Sequence, residues 1–294
     1  MNRVLIVLVG LLLIVVVMAV TLSQSLVVIQ RVARVSSLIG SAQIKPPNSA
    51  DFIPLKDQSL VLTGTVLQTA PGASVTLNWV DGTRLLVGGD TTMTVLKCQV
   101  DQASHAETSL FHLTTGKLMV RVRKLLSGQS KFEIETPTAT AGVRGTIFQV
   151  QVDAAGQTQV AVLEGQVNLN ASGQTLEIKP GFQAIAGKRE AEVKPLSAAD
   201  RAGLAGSPED LGPYLLLDSP PEGAPIAPGV LTVAGVAEDR ARVTVNGVAA
   251  HINKLHRFKT DLPIPAGATT FNLRVVAIDE RGYKTEMARD LPVK

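Results

Sequence analysis

The sequence predicts an all-β protein behind one apolar N-terminal segment, and three observations carry that expectation. Val, Thr, Gly and Ala abound while aromatic residues make up only 3%, and β-branched side chains suit a pleated surface. Short runs of alternating apolar and polar residues recur along most of the chain, which is the period of a half-buried strand. Dipeptides rich in Gly, Asn and Asp separate the runs and supply the backbone angles of tight hairpins. At 294 residues and 45% hydrophobic, the chain has room for two cores, because single cores seldom grow much past about 250 residues.

The N-terminus comes first. No charge occurs from Val4 to Ile29, a run longer than the roughly 20 residues that a helix needs to cross hydrocarbon. A secretory leader has a shorter apolar core of about 7 to 15 residues, so the length favours an uncleaved membrane anchor over cleavage near Thr21 and Ser23. Arg3 on one side faces Arg31 and Arg34 on the other, and charge alone leaves the orientation open. Residues 1–36 are read as anchor and juxtamembrane segment, with Leu26 to Leu38 prolonging the helix.

Strands follow. "SVTLNWV" and "TRLLV" flank Asp81-Gly82, a strong two-residue hairpin signal. "KLMVRVRKLL" and "KFEIET" flank Ser127-Gly128, "TIFQVQV" and "TQVAVLE" flank Asp153 to Gly156, and "QVNLN" and "TLEIK" flank Ser172-Gly173. Phe132 and Ile134 oppose Glu133 and Glu135, and Phe148, Val150 and Val152 oppose Gln149 and Gln151. Hairpin after hairpin with no long helix predicts that residues 37–193 form an antiparallel sandwich or a short β-solenoid. Residues 194–213 read as a linker: Ser197 and Asp200 cap a turn or two of helix, and Gly203, Gly206, Pro208 and Pro213 stop anything longer. Residues 214–294 resume the alternation, with turns at Asn246-Gly247, Ala266-Gly267 and Arg281-Gly282, and predict a second, smaller sandwich.

Charge and side-chain chemistry exclude several function classes. A net charge of +3 is too small for a nucleic-acid footprint, which needs basic residues gathered on one face. A single cysteine, Cys98, excludes an internal disulfide, and within the strand-like run "TTMTVLKCQV" it reads as a small buried residue. His105, His112, His251 and His256 lack metal spacing. Asp279 and Glu280 form a turn and need further oxygen ligands before they hold calcium. No nucleophile elbow, acid–base pair or cofactor motif is present, so no enzyme is expected.

Two arginine features stand out. Arg144 lies between Gly142 and Gly145 ahead of a strand. A phosphate loop would open a helix and carry a lysine and a hydroxyl for the metal, so the better reading is a backbone corner in which Arg144 holds carbonyls or a carboxylate, Glu164 being one partner. In "KLMVRVRK", Arg121 and Arg123 fall on one face of a strand with Lys117 and Lys124 at its ends. That face is read first as solvated, and as a binding stripe for an anionic envelope glycan in the sharper hypothesis.

These same residues carry a resemblance. Thr136-Pro137-Thr138-Ala139, then Gly142-Val143-Arg144-Gly145-Thr146 and Phe148, followed by Val162-Leu163-Glu164-Gly165, are similar to the FecR domain, named for the ferric-dicitrate regulator, and the likeness runs from Ser37 to Ala191. The resemblance implies a single-pass protein of the cytoplasmic membrane with its C-terminal bulk outside the cytoplasm. Founding members place a cytoplasmic segment against a sigma factor, whereas only Met1 to Arg3 precede the anchor here, so that activity is not carried over. Tyr214 to Lys294 resembles a bacterial immunoglobulin-like domain. The expectation is a non-enzymatic, membrane-anchored envelope scaffold or binding module for protein or glycan. The alternative is a signal-transduction component that senses an envelope partner and regulates a separately encoded sigma or anti-sigma factor.

Overall fold

Strand alternation begins earlier than the sequence suggests. The computed structural model describes residues 28–294 except Leu126, Ser207, Glu222 and Asp239, so nearly all of the anchor read from Val4 to Ile29 lies outside the described residues. Among the described residues no helix is long and apolar enough to cross a membrane. Leu26 to Leu38 was expected to prolong a helix, yet Val28–Gln30 and Ala33–Ile39 are strands. Ala33 and Val35 are fully buried while Arg34 and Ser36 are not, and that two-residue period fits a strand over a core better than a helix in lipid.

The first domain is two sheets stacked on one apolar core. The first sheet runs Ile53–Pro54, Ala42–Lys45, Val66–Thr69, Thr92–Asp101, the first half of Glu107–Arg121, Lys131–Glu135, Ala139–Val143, Val167–Ala171 and Gln174–Ile178. The second runs Leu60–Val61, Ala33–Ile39, Ser74–Asn78, Arg84–Val87, the second half of Glu107–Arg121, Ile147–Val152, Thr158–Glu164, Phe182–Ala186 and Ala191–Pro195. Glu107–Arg121 is thus shared, passing from one layer to the other near Gly116. Trp79 from the second layer meets Phe111 of the first edge-on at 5.5 Å, and Phe111 lies 5.3 Å from Phe132, so aromatic contacts pin the layers together.

One expected hairpin is absent. Across Ser127-Gly128 the chain does not turn back on itself: Lys131–Glu135 runs parallel to Thr108–His112 in the other layer. Both edges of the second half of Glu107–Arg121 are already taken, by Arg84–Val87 and by Ile147–Val152. The returning strand has to find its partner elsewhere. The hairpins at Asp81-Gly82, Asp153 to Gly156 and Ser172-Gly173 form where the dipeptides place them.

Residues 214–294 make a second sandwich. Leu215–Ser219, Val230–Ala237 and Arg257–Pro263 form one sheet; Val248–Ala250, Arg242–Val245, Thr270–Ile278 and Lys284–Pro292 form the other. Leu217, Val233, Phe258, Leu273 and Val275 lie in the core between them. The segment read as a linker is no free spacer. Ser197 and Asp200 close a capping box on the short helix α1, Ala198–Ala202. A 3₁₀ turn, Pro208–Leu211, then presses Leu211 against Leu86, Met119 and Ile147 of the first domain.

Candidate interdomain docking site

The site is built on a pair of like charges. Arg84 and Arg121 are direct cross-strand partners in the second sheet, flanked by Leu85 and Val120, whose side chains enter the core. Alternation sends both guanidinium groups to the opposite face, where they are nevertheless only 7% and 5% exposed. Two adjacent buried cations are costly unless carbonyls and carboxylates surround them.

The linker and the C-terminal sandwich supply that surround. Arg84 Nη1 donates to Gly212 O, to Pro213 O at 3.3 Å and to Thr285 Oγ1 at 3.1 Å. Arg121 Nη1 donates to Leu211 O at 2.8 Å, and its Nη2 meets Glu238 Oε1 at 3.0 Å and Asp279 Oδ2 at 2.5 Å. The other oxygens of those acids are also used: Tyr214 N donates to Glu238 Oε2 at 3.1 Å, and Arg281 N and Tyr283 N each donate to Asp279 Oδ1 at 2.9 Å. The Tyr283 ring stacks near the Arg121 guanidinium at 5.9 Å. Two cations face two carboxylates.

Burial sets the electrostatics. Desolvation, with Arg121 alongside, pushes Arg84 down to about 10, so it stays charged at neutral pH. Burial raises the Glu238 carboxyl above its ordinary value, and the Arg121 charge offsets part of that rise. Around the charges lies an apolar seal of Leu86, Met119, Ile147 and Leu211, with Leu163, Leu204, Ala205 and Tyr283 packed on it. At the rim, Glu164 Oε2 accepts from Arg281 Nη1 at 2.8 Å and Glu164 Oε1 accepts from Tyr283 Oη. Such an arrangement binds surfaces together.

The cationic stripe expected on this strand is therefore corrected. Arg121 and Arg123 do share a side of the chain, but Arg121 is buried and the partly exposed Arg123 is already paired with carboxylates. Arg123 joins Arg31 across Asp81 and Glu107, with Arg123 Nε 3.3 Å from Asp81 Oδ2 and Arg31 Nη1 3.5 Å from Glu107 Oε2. Lys117 Nζ donates to Gly203 O at 3.1 Å, and Lys124 alone of the four is exposed. Neighbouring carboxylates and carbonyls from distant segments consume the charge that the strand pattern presented as free.

The Arg144 corner is a packed backbone junction. Gly145 has φ +84° and Gly165 φ +74°; a Cβ on Gly165 would stand 2.6 Å from Gly145 O, and one on Gly145 2.9 Å from Lys124 Cα. Arg144 Nε donates to Leu125 O at 3.0 Å, and the fully buried Thr146 donates to Gln166 O at 2.9 Å. The carboxylate offered to Arg144, Glu164, is taken by Arg281 and Tyr283. Gly142 is not part of the tight approach: its φ is ordinary and a Cβ there would meet only Asn168 O at 3.7 Å. Upstream, Thr136 Oγ1 accepts from Ala139 N at 2.9 Å and so braces the turn at Pro137.

The remaining candidates fall apart from one another. Cys98 is buried beside Ser109, 3.7 Å from its Oγ. Among the described residues no group of three or more His, Cys, Asp or Glu side chains is placed to hold a metal ion, and Asp279 spends its oxygens on its own turn and on Arg121. Sequence reading missed Arg84, Glu238, Tyr283 and Leu211 as partners. A signal was present: "RLLV" and "LMV" are apolar on both faces, the mark of strands covered on both sides, and Leu86 and Met119 are the outward members.

Comparison with known proteins places a family within this framework. Residues 65–168 match the family model described as FecR protein. Two crystal structures of a candidate anti-sigma factor from Parabacteroides distasonis ATCC 8503 are similar over part of the chain, each 18% identical and covering 47% of this chain and 62% of that protein, with TM-scores of 0.38 and 0.39. The match thus spans less than two thirds of those proteins. No curated protein matches. The stretch that holds both docking arginines, the second half of the shared strand and the Gly145–Gly165 corner, residues 65–168, is a FecR domain.

Proposed function

We propose that this protein is a non-enzymatic signal-transduction component of the cell envelope, in which a FecR domain and a C-terminal immunoglobulin-like sandwich outside the cytoplasm sense a partner and regulate a separately encoded sigma or anti-sigma factor through the membrane segment. Its place is the cytoplasmic membrane, crossed once by the apolar run from Val4. The observation that carries this reading is the FecR domain itself, onto which the C-terminal sandwich is clamped by ion pairs. A charged clamp suits regulation, since a ligand that binds the released form more tightly than the docked form shifts the balance between them. The scaffold reading with an anionic glycan loses its main support, because Arg121 and Arg123 are consumed internally.

In-cell photo-cross-linking from the membrane segment, followed by mass spectrometry, tests the proposal. Recovery of a sigma factor, an anti-sigma factor or a second membrane regulator is expected. Recovery of wall-assembly proteins alone, or salt-sensitive sedimentation of the protein with purified cell wall, returns the scaffold reading to first place.

A further inference from the structure

Five large apolar side chains, Val28, Ile29, Leu60, Leu62 and Leu96, stand 39–54% exposed at one end of the first sandwich. Backbone contacts make them neighbours. Val28–Gln30 pairs with Gln99 to Asp101, Thr63 Oγ1 donates to Gln30 Oε1 at 2.8 Å, and Gly64 N donates to Val95 O at 2.7 Å. Leu62 is thereby held between the strand of Ile29 and Leu96. Leu60, two positions earlier on the edge strand, pairs with Arg34. Contiguous apolar surface of this kind marks an interaction site.

Chain connectivity says what covers it. Val28 lies within the uncharged run that starts at Val4, and only the seven residues Thr21 to Val27, with no charge among them, separate it from Val20. A folded end joined this closely to a membrane-spanning segment rests against the headgroup layer, where half-buried Leu and Ile side chains are stabilised. Arg34 opposite Leu60 and Lys97 beside Leu96 can lay their stems along the apolar surface and reach lipid phosphates.

We propose that this end of the FecR-containing sandwich is a membrane-docking surface that seats Ile29, Leu60, Leu62 and Leu96 in the interface of an anionic bilayer. This rests on the reading of the N-terminal run as an anchor. It also sets the posture of the C-terminal sandwich: Asp81 pairs with Arg31, while the adjacent Gly82 lies against Glu238. The second sandwich therefore docks at the membrane end and lies alongside the bilayer.

The test uses the full chain in vesicles of phosphatidylethanolamine and phosphatidylglycerol, with a bimane fluorophore attached at Leu62→Cys or Leu96→Cys, and at Ile39→Cys as the control. Ile39 is 64% exposed and ends the strand Ala33–Ile39 away from the docking end; Cys98 is buried. Lipids carrying a nitroxide near the headgroup are expected to remove most of the emission at positions 62 and 96 and to leave position 39 unchanged. Protein that resists carbonate extraction yet shows equal emission at all three positions overturns the docking surface and leaves the anchor standing. Extraction by carbonate overturns both. Shielding at positions 62 and 96 that depends on protein density and ignores the nitroxide assigns the patch to a second copy of this chain, and overturns the proposal as well.

Discussion

At Gly165 the reason for glycine is a neighbour as much as an angle: the Gly145 carbonyl would lie 2.6 Å from any Cβ. Gly165→Ala should therefore cost at least about 2 kcal/mol, the left-handed penalty alone being about 1–2 kcal/mol. Gly142→Ala has 3.7 Å of room and should be neutral or stabilising by up to about 1 kcal/mol, since glycine weakens a strand interior. Urea denaturation of residues 28–294, which contain both cores, reads the contrast; equal losses at the two positions would refute this account of the corner. Arg144→Ala removes the bond to Leu125 O and should lower stability by about 1 kcal/mol, whereas an unchanged melting curve would take the clamp role from it. At Cys98, burial raises the thiol's pKa and overrides the nearby Arg31 charge. Thiol reagents should leave the native protein unlabelled at mildly alkaline pH and react only after denaturation; rapid labelling of folded protein would show that the site opens.

Among the elements, Glu107–Arg121 has the most consequence because it belongs to both layers and ends at the docking site. Its register puts Val120 in the core and Arg121 outside, so a one-residue slip would exchange them. The 3₁₀ turn and the sandwich beyond it cover Arg121, and removing the guanidinium leaves Glu238 and Asp279 facing each other without their cation. Arg121→Ala should weaken docking by about 3–5 kcal/mol, the usual cost of breaking a buried pair. It should also split a single melting transition into two and expose the segment around Gly203 and Gly206 to proteases. One cooperative transition with unchanged cleavage would show that the apolar seal of Leu86, Met119, Ile147 and Leu211 holds the modules together alone.

For the whole molecule, the interface makes the arrangement of the two sandwiches respond to pH. Burial raises the Glu238 carboxyl above its ordinary 4.5, so the docked form holds that proton more tightly than the released form. Docking therefore gains as pH falls, and the gain is lost as pH rises from 4.5 through the raised value. Energy transfer between dyes on the two sandwiches should report more docking near the acid end of this window than at neutrality, and Glu238→Gln should abolish the slope. A slope that survives that substitution would assign the titration to another group. The docking equilibrium, rather than global stability, is the right measurement because exposed Asp101, Asp200 and Glu286 have lowered values and act in the opposite direction.

The sequence by itself determined what neighbours in the chain can encode. Period-two alternation set the all-β class, Asp81-Gly82, Ser172-Gly173 and Asn246-Gly247 set hairpins, and the run from Thr136 to Gly165 carried the FecR signature. Each depends on a few adjacent residues whose backbone preferences need no distant partner. Tertiary structure alone decided that Lys131–Glu135 pairs in parallel, that the linker packs, and that Arg121 is a clamp rather than a ligand stripe. Those outcomes turn on which edges are already occupied and on carboxylates 117 and 158 positions away from Arg121. A strand pattern shows that a side chain leaves the core, but only the assembled fold shows whether it meets water or another protein surface.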